Sequence, residues 1–296
     1  MIKKTLLFSL ILLIGWSYYL KMKPISVSQN QWQDNIVSAE RYLFDIDTLD
    51  NLIVGTSLAL RIRMDSLPNF YNLSFGGQSI FDGLLILRNK KRVPKNVFIE
   101  INLITGGENH NFKKVMSSSI LNTLKRNITV FRTDKQPLAY IGRGFVFPIV
   151  NSFFYKRVHS LKDTLKNKNI ENNSKNSIFD KMLDLHKETY SKHIDSIYMD
   201  QQFKKLKSHV DFLESKEVRV VFFEMPVNPE LIELSRAKYL RNRVINDYPK
   251  NHFIKLPIDT NIYKTSDGMH LTRKEARIYT SYFKKEVLNI KSKDEK

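Results

Sequence analysis

Short apolar runs alternate along this chain with segments whose apolar residues recur at helical spacing, and this alternation constrains the fold most strongly. Five runs predict buried strands, at residues 52–54, 70–75, 97–103, 218–226 and 252–256. Segments of helical periodicity are found at residues 58–64, 79–89, 229–247 and 272–290. Strands that alternate with helices form parallel βαβ units. The sequence therefore predicts an α/β protein with a central parallel sheet.

The first 23 residues have the pattern of a membrane signal anchor. Two lysines precede an uncharged stretch from Thr5 to Leu20, which as a helix would be about 24 Å long, slightly short of a bilayer core of about 30 Å. Trp16, Tyr18 and Tyr19 have the amphipathic rings found at membrane interfaces. No small-residue cleavage site follows, so we predict an uncleaved single-pass anchor. We expect the rest of the chain to lie outside the cytoplasm, at a bacterial-type cytoplasmic membrane.

Composition divides the remaining chain into two regions. Residues 24–48 are polar and predict a juxtamembrane connector with a short helix around Gln33–Leu43. Residues 49–296 carry the strand and helix pattern and predict one domain. Within it, residues 152–215 are rich in Lys, Asn, Asp and Ser and predict a largely helical insertion rather than a separate domain. The stretch KNKNIENNSKNS, residues 166–177, is typical of an exposed mobile loop.

Charge and cysteine content limit the classes of partner and chemistry. The formal net charge of +18 favours anionic neighbours such as lipid headgroups, acidic polymers or nucleic acid. However, the sequence contains no nucleic-acid-binding motif, so a nucleic-acid partner is not predicted. The absence of cysteine excludes disulfides, thiolate nucleophiles and cysteine-ligated zinc. We expect neither a metal nor a cofactor.

Polar residues follow several of the predicted strands. Ser57 follows the first strand, Gly77 the second, and Asn102 lies at the end of the third, while Asp267 and His270 lie in a loop after the last strand. Because the carboxyl ends of parallel strands share one edge, we expect these residues to meet there. Nothing in their spacing alone distinguishes a catalytic Ser57 from a turn or helix-capping serine.

These residue types suit acyl transfer. A serine hydroxyl needs a base to remove its proton, and His270 can act as that base with Asp267 orienting its ring. The oxyanion that develops on the substrate needs preorganised donors, and the backbone N–H groups of Ser57 and Gly77 and the Asn102 amide are candidates. Gly76 is an alternative to Gly77.

Four ordered motifs resemble the blocks of the SGNH/GDSL hydrolase superfamily. They are VGTS with Ser57, NLSFGGQS with Gly77, IEIN with Asn102 and DGMHLT with Asp267 and His270. The resemblance covers about 25 to 30 positions in total and implies a three-layer α/β/α flavodoxin-like domain. It also implies Ser57 as nucleophile, His270 as base, Asp267 as its partner, and an oxyanion hole that includes Gly77 and Asn102.

Two positions depart from the resembled pattern. Thr56 replaces the usual Asp before the serine, and Glu100 replaces the usual Gly two residues before Asn102. Glu100 is expected to bring a charged side chain near the rim of the site.

Glu224 and Arg143 are further candidates for substrate contact. Glu224 ends a buried strand and is equally consistent with a salt bridge to a surface lysine. Arg143 lies between two glycines and is a candidate for binding an anionic group or an ordinary surface residue. The other histidines are interpreted as surface or packing residues.

The sequence thus favours a membrane-anchored serine esterase or O-acyltransferase for acyl, most simply acetyl, esters of cell-envelope carbohydrate. Among the resembled proteins, membrane-anchored branches that modify envelope polysaccharides are nearest in layout. A transferase would also need a membrane protein that delivers acyl groups. The alternative is a protein of the same fold that has lost catalysis and binds anionic glycans as a scaffold; Glu100 is the feature that favours it.

Overall fold

The computed structural model describes residues 2–22, 30–46, 49–137, 140, 171–249, 251–257, 259 and 261–294. The chain divides into two compact units. One contains residues 1–45 and 114–171, and the other contains residues 46–113 and 172–296.

The second unit is built on a parallel sheet. Within the described ranges its strands are β1 (Asn51–Val54), β2 (Phe70–Asn72), β3 (Asn96–Glu100), β4 (Arg219–Phe223) and β5 (His252–Ile254). They pair in the order β2-β1-β3-β4-β5, and every pair is parallel. This is the strand order of flavodoxin-like doubly wound sheets, in which ligands bind where β1 and β3 diverge. The predicted α/β fold with a parallel sheet is confirmed.

Within the described residues, the helices lie before, between and after these strands. They are α1 (Ile2–Met22), α2 (Gln31–Phe44), α3 (Ile80–Arg88), α4 (His110–Met116), α5 (Ser119–Asn127), α6 (Glu171–Ser191), α7 (Ser196–Glu214), α8 (Pro229–Ile232), α9 (Ser235–Asp247) and α10 (Arg273–Asp294).

Helices cover both faces of the sheet because the central strands are apolar on both sides. On one face, Phe98 of β3 and Phe223 of β4 pack their rings against Phe283 of α10. On the other face, Val54 of β1 contacts Gly83 of α3. Helices α10 and α3 thus lie on opposite faces of the sheet.

The region expected to be a helical insertion forms helices α6 and α7. The buried face of α7 includes Phe203, Leu206 and Val210, and this helix packs against β4. Leu183 and Tyr190 of α6 belong to the apolar core on the α10 face. These two helices are thus part of the core layers rather than an appendage. Helix α6 begins at Glu171, so the end of the expected loop is helical; residues 152–170 lie outside the described residues.

Several predicted boundaries were wrong. The segment after Ser57 forms short 3-10 helices at Ala59–Arg61 and Met64–Ser66, not an α-helix. β3 ends at Glu100, so Asn102 lies two residues beyond the strand. The predicted helix at 229–247 is two helices, α8 and α9. In each case a turn replaces a regular element close to the edge where polar residues gather.

The first unit is helical in its described part. The short helix expected around Gln33–Leu43 is observed as α2, and its buried Glu40 accepts hydrogen bonds from Lys125 Nζ at 2.7 Å and from the Thr133 backbone N–H at 2.8 Å. Trp16 of α1 donates to the Lys135 carbonyl at 2.7 Å and stacks on Tyr19. In the portion of the chain that is described, no helix combines the length and the apolar character needed to cross a membrane.

Candidate active site

Ser57 lies in a tight turn that leaves the carboxyl end of β1. The Leu60 N–H donates to the Thr56 carbonyl at 3.2 Å, which closes one turn around the serine. Thr56 and Leu58 are buried, whereas Ser57 between them is partly exposed. The turn is tight because residue 55 is Gly: a Cβ there would lie 2.4 Å from the Ala59 Cβ, too close for two carbon atoms.

His270 and Asp267 complete a hydrogen-bonded chain with Ser57. His270 Nε2 lies 2.8 Å from Ser57 Oγ, and His270 Nδ1 lies 2.7 Å from Asp267 Oδ2. With its proton on Nδ1, donated to Asp267, the imidazole leaves Nε2 as the acceptor of the serine proton. The structure thus brings together three residues that span more than 200 positions in the sequence, in the geometry of a nucleophile, a base and an orienting carboxylate.

The loop that carries His270 is shaped by its own hydrogen bonds. The Ser266 N–H donates to the His270 carbonyl at 2.8 Å, and Thr265 and Leu271 form an isolated antiparallel bridge. Gly268 adopts φ +93°, a conformation that favours glycine. This turn lets Asp267 Oδ1 accept from the His270 backbone N–H at 2.8 Å. The carboxylate is thus fixed before it meets the ring.

The electrostatics of Asp267 favour its charged form. Burial is the largest single influence and acts to raise its pKa, but hydrogen bonds from the backbone and ring of His270 and from the Met269 backbone together outweigh it. The pKa of Asp267 is therefore held below its ordinary value. A carboxylate that stays charged can stabilise an imidazolium on His270 during proton transfer.

Asn102 lies on the neighbouring strand's loop and is held by two hydrogen bonds. Its Nδ2 donates to the Met225 carbonyl at 2.9 Å, and its Oδ1 accepts from the Met225 N–H at 2.7 Å. The pair fixes the amide between the ends of β3 and β4. A side-chain amide nitrogen carries two hydrogens, so one of these remains beyond the bond to Met225.

Gly77 and Gly76 follow β2 at the same edge of the sheet. Gly77 has φ +68° and is exposed, while Gly76 is buried. The Gln78 N–H donates to the Phe75 carbonyl at 3.4 Å across this turn. The predicted position of Gly77 in a tight turn after the second strand is therefore as observed.

Glu224, a candidate for substrate contact, is buried and lines a small cavity together with Asn102. Its side chain is 5 % exposed, and its Oε2 accepts from Arg241 Nε at 2.8 Å. Burial raises the pKa of Glu224, and the Arg241 guanidinium opposes this. The carboxylate therefore forms an internal ion pair, with an arginine rather than with a surface lysine. Arg143 lies outside the described residues.

Glu100 was expected near the rim, but it lies under the site. The residue is buried, and its Oε2 accepts from the Thr56 N–H at 2.8 Å and the Thr56 hydroxyl at 2.7 Å. The two departures from the resembled motif are thus in contact with one another. The sequence showed both residues but gave no sign that residues 44 positions apart would pair.

His186 of α6 lies beside the triad loop and was interpreted as a surface or packing residue. Its Cδ2 lies 3.5 Å from the position that a Cβ on Gly268 would take, and its Nε2 is buried without a partner in the described structure. Burial lowers the pKa of His186. Only its i+3 spacing from buried Leu183 hinted at an inward face.

The described residues contain no cluster of three or more His, Asp or Glu side chains that could hold a metal ion. Comparison with known proteins gave no further guide, since no family model, no curated protein and no solved structure matches this chain.

Proposed function

We propose that this chain is a serine esterase or O-acyltransferase that works through an acyl-enzyme. The observation that carries the proposal is the continuous chain from Ser57 Oγ through the His270 ring to Asp267, with contacts of 2.8 Å and 2.7 Å. Such a chain serves to activate a hydroxyl. The flavodoxin-like strand order and the ordered motifs support membership of the SGNH/GDSL superfamily with its three-layer domain.

In the proposed reaction, Ser57 Oγ attacks the carbonyl carbon of an acyl ester while His270 Nε2 takes the hydroxyl proton. The tetrahedral intermediate then breaks its bond to the alcohol oxygen, which receives the proton from His270. The acyl group remains on Ser57 as an ester. Water or a sugar hydroxyl next gives its proton to His270 and attacks this ester, which releases the acid or the acylated sugar and restores Ser57.

The proposed oxyanion hole combines three donors. The second N–H hydrogen of Asn102 and the backbone N–H groups of Ser57 and Gly77 are its members. Asn102 is well suited because its bonds to Met225 fix the amide before substrate arrives. A donor that needs no reorganisation contributes most to the stabilisation of developing charge.

A cavity of about 250 Å³ supports carbohydrate with an anionic group as the substrate class. It lies between the loop after β3 and the starts of α7 and α9, and Ser57, Asp267 and His270 are not among its lining residues. Tyr198, Tyr239 and Arg236 line it together with His193 and Asp195. Tyrosine faces and an arginine suit a sugar ring that carries a phosphate or carboxylate. The net charge of +18 favours the approach of an anionic polymer.

We further propose that α1 holds the protein at a membrane, with the second unit outside the cytoplasm. More than half of the surface of Leu6, Phe8 and Ile11 is exposed on this helix. Exposed apolar side chains in such number need an apolar partner, and lipid is the simplest one. An acyl-delivering membrane protein would be needed only by a transferase.

The decisive experiment is active-site labelling of the full-length chain in detergent with a fluorophosphonate probe. We expect one adduct per chain, located on Ser57 by peptide mapping and lost in Ser57→Ala and His270→Ala. Ser66→Ala, which removes a serine paired with exposed Asp65, is the matched control and should label normally. Folded protein that stays unlabelled but retains an anionic glycan on a column would instead support the noncatalytic scaffold.

A further inference from the structure

The buried carboxylate of Glu100 occupies an unusual place in the apolar core. It is 0 % exposed, and it projects into the face of the sheet that packs against α10. A buried carboxylate costs free energy unless its oxygens are well satisfied. Glu100 Oε1 nevertheless has no hydrogen-bond partner within the described structure. The contacts of the other carboxylate oxygen, Oε2, therefore have to explain why Glu100 is buried here.

The other oxygen, Oε2, fixes the residues on both sides of Ser57. It accepts from the Thr56 N–H at 2.8 Å and from the Thr56 hydroxyl at 2.7 Å. The same hydroxyl accepts from the Leu58 N–H at 3.3 Å. One carboxylate oxygen thus holds residue 56 directly and residue 58 through a relay, with Ser57 between them.

Glu100 also lies next to the loop that carries Asn102. Burial raises the pKa of Glu100, while the hydrogen bonds from the Thr56 N–H and hydroxyl oppose this rise. Glu100 itself is the last residue of β3, two residues before Asn102, and Thr56 lies in the loop after β1. The carboxylate therefore links the two loops at the place where a doubly wound sheet binds its ligand.

We propose that Glu100 is a positioning residue that holds the Ser57 turn in register with the Asn102 amide. This inference rests on the proposed function, because it concerns the same nucleophile. Thr56 is its partner: the two residues that depart from the resembled motif act as one unit, with the carboxylate supplied from β3 rather than from the position before the serine.

The test is a double-mutant cycle with Glu100→Ala and Thr56→Val, read by the rate of fluorophosphonate labelling in full-length protein. A misplaced nucleophile loses about 10²-fold in rate for a displacement near 1 Å. We expect about that loss in Glu100→Ala and about 10-fold in Thr56→Val. The double variant should be no slower than Glu100→Ala, because both changes break the same contact. Thr56→Ser, which keeps the hydroxyl, should label within about two-fold of wild type.

Turnover of a small ester such as p-nitrophenyl acetate separates positioning from binding. Glu100→Ala should lower kcat and leave KM nearly unchanged, since the side chain touches no substrate. Glu100→Gln keeps an oxygen that can accept from Thr56 and should recover most of the rate. Variants that label at the wild-type rate, or losses that multiply in the double variant, would overturn the inference.

Amide hydrogen exchange in residues 55–60 reads the positioning without any chemistry. Faster exchange of this segment in Glu100→Ala, with exchange in α7 unchanged, is the expected result. If the wild-type protein takes no label, the proposed function fails while this measurement still decides the role of Glu100. Unchanged exchange of residues 55–60 in a folded Glu100→Ala would refute it.

Discussion

The two loops that meet at Ser57 and His270 are held in opposite ways. The Ser57 turn is closed by its own Leu60–Thr56 bond but depends on an anchor from outside, a buried carboxylate 44 residues further along the chain. The loop from Lys264 to Thr272 is fixed from inside: the Thr272 N–H donates to the Lys264 carbonyl at 3.1 Å. Besides the contact between His270 and Ser57, a hydrogen bond from outside joins this loop, as the Asn228 N–H donates to the Gly268 carbonyl at 2.8 Å.

Because of this difference, the two loops depend on different parts of the structure for their shape. The Ser57 turn requires β1 and β3 to be paired, since Glu100 reaches it from the neighbouring strand. The His270 loop can form its internal hydrogen bonds locally and then dock. Damage to the sheet core should therefore disturb the serine first, whereas a change within the loop should disturb the histidine and spare the fold.

The largest expected effect comes from a change confined to the loop that carries His270. Asp267→Asn keeps Oδ1 as an acceptor for the loop amides but offers an amide to the His270 ring, which favours the wrong tautomer. Labelling of Ser57 should fall by about 10³- to 10⁴-fold. Thermal unfolding should shift little, because the loop bonds survive. Asp65→Asn, at an exposed carboxylate, is the control. A fall of less than ten-fold would contradict an orienting role for Asp267.

The next effect falls on the serine side and reaches the whole domain. Gly55→Ala places a Cβ 2.4 Å from Ala59 Cβ and 3.0 Å from Glu100 Oε2. We expect the free energy of unfolding to fall by about 3 kcal/mol, as for other overpacked sites. Urea titration followed by circular dichroism measures it. Gly107→Ala, where nothing lies within 4 Å of the new carbon, should be nearly neutral.

Lowering the pH tests the stability of the core separately from the geometry of the His270 loop. His209 of α7 is buried, and burial followed by the charge of Arg88 lowers its pKa from 6.5 to about 4. Between pH 6.5 and pH 4 the unfolded chain therefore binds a proton at His209 that the folded chain does not bind. The free energy of unfolding falls as the pH drops through this range. The expected loss at pH 5 relative to pH 7.5 is about 2 kcal/mol.

His209→Phe should remove this acid sensitivity, while a change at exposed His110 should not. Denaturant titrations at pH 7.5 and pH 5 measure the difference. In His209→Phe, any remaining loss of labelling at low pH belongs to the site loops and not to global unfolding. An unchanged pH dependence of stability would show that another group governs the acid response.

The smallest effect concerns the shape of the histidine loop. Gly268→Ala forces a side chain into φ +93° and brings its Cβ to 3.0 Å from Leu183 Cδ1. A cost of about 1 kcal/mol is expected. Because this loop is held locally, the activation free energy of labelling should rise by more than the free energy of unfolding falls. Gly55→Ala should show the reverse. Equal responses in both assays would mean that the two loops are not independent.

The sequence predicted the elements that depend on periodicity and the residues that depend on type. Apolar runs predicted every described strand, and the ordered polar residues predicted that Ser57, Asp267 and His270 meet. Boundaries near the site were wrong because hydrogen bonds from side chains decide them. The helix expected after Ser57 gives way to a 3-10 helix at Ala59–Arg61, and Thr56 just before it bonds Glu100 and Leu58.

Glu100, Glu224 and His186 could not be assigned from the sequence for one shared reason. Each is a polar residue whose position depends on packing between elements distant in the chain. A charged residue in an apolar strand favours a surface or rim position by default. Only the fold shows that Glu100 and Glu224 point inward, each towards its own partner.

The separation of 213 positions between Ser57 and His270 also sets a delay during synthesis of the chain. At about 5–20 residues per second of synthesis, roughly 10–40 s pass after Ser57 is made before His270, its proposed base, exists. Under the proposed mechanism, the Ser57 hydroxyl therefore has no base until β5 and the loop that carries His270 have been synthesised.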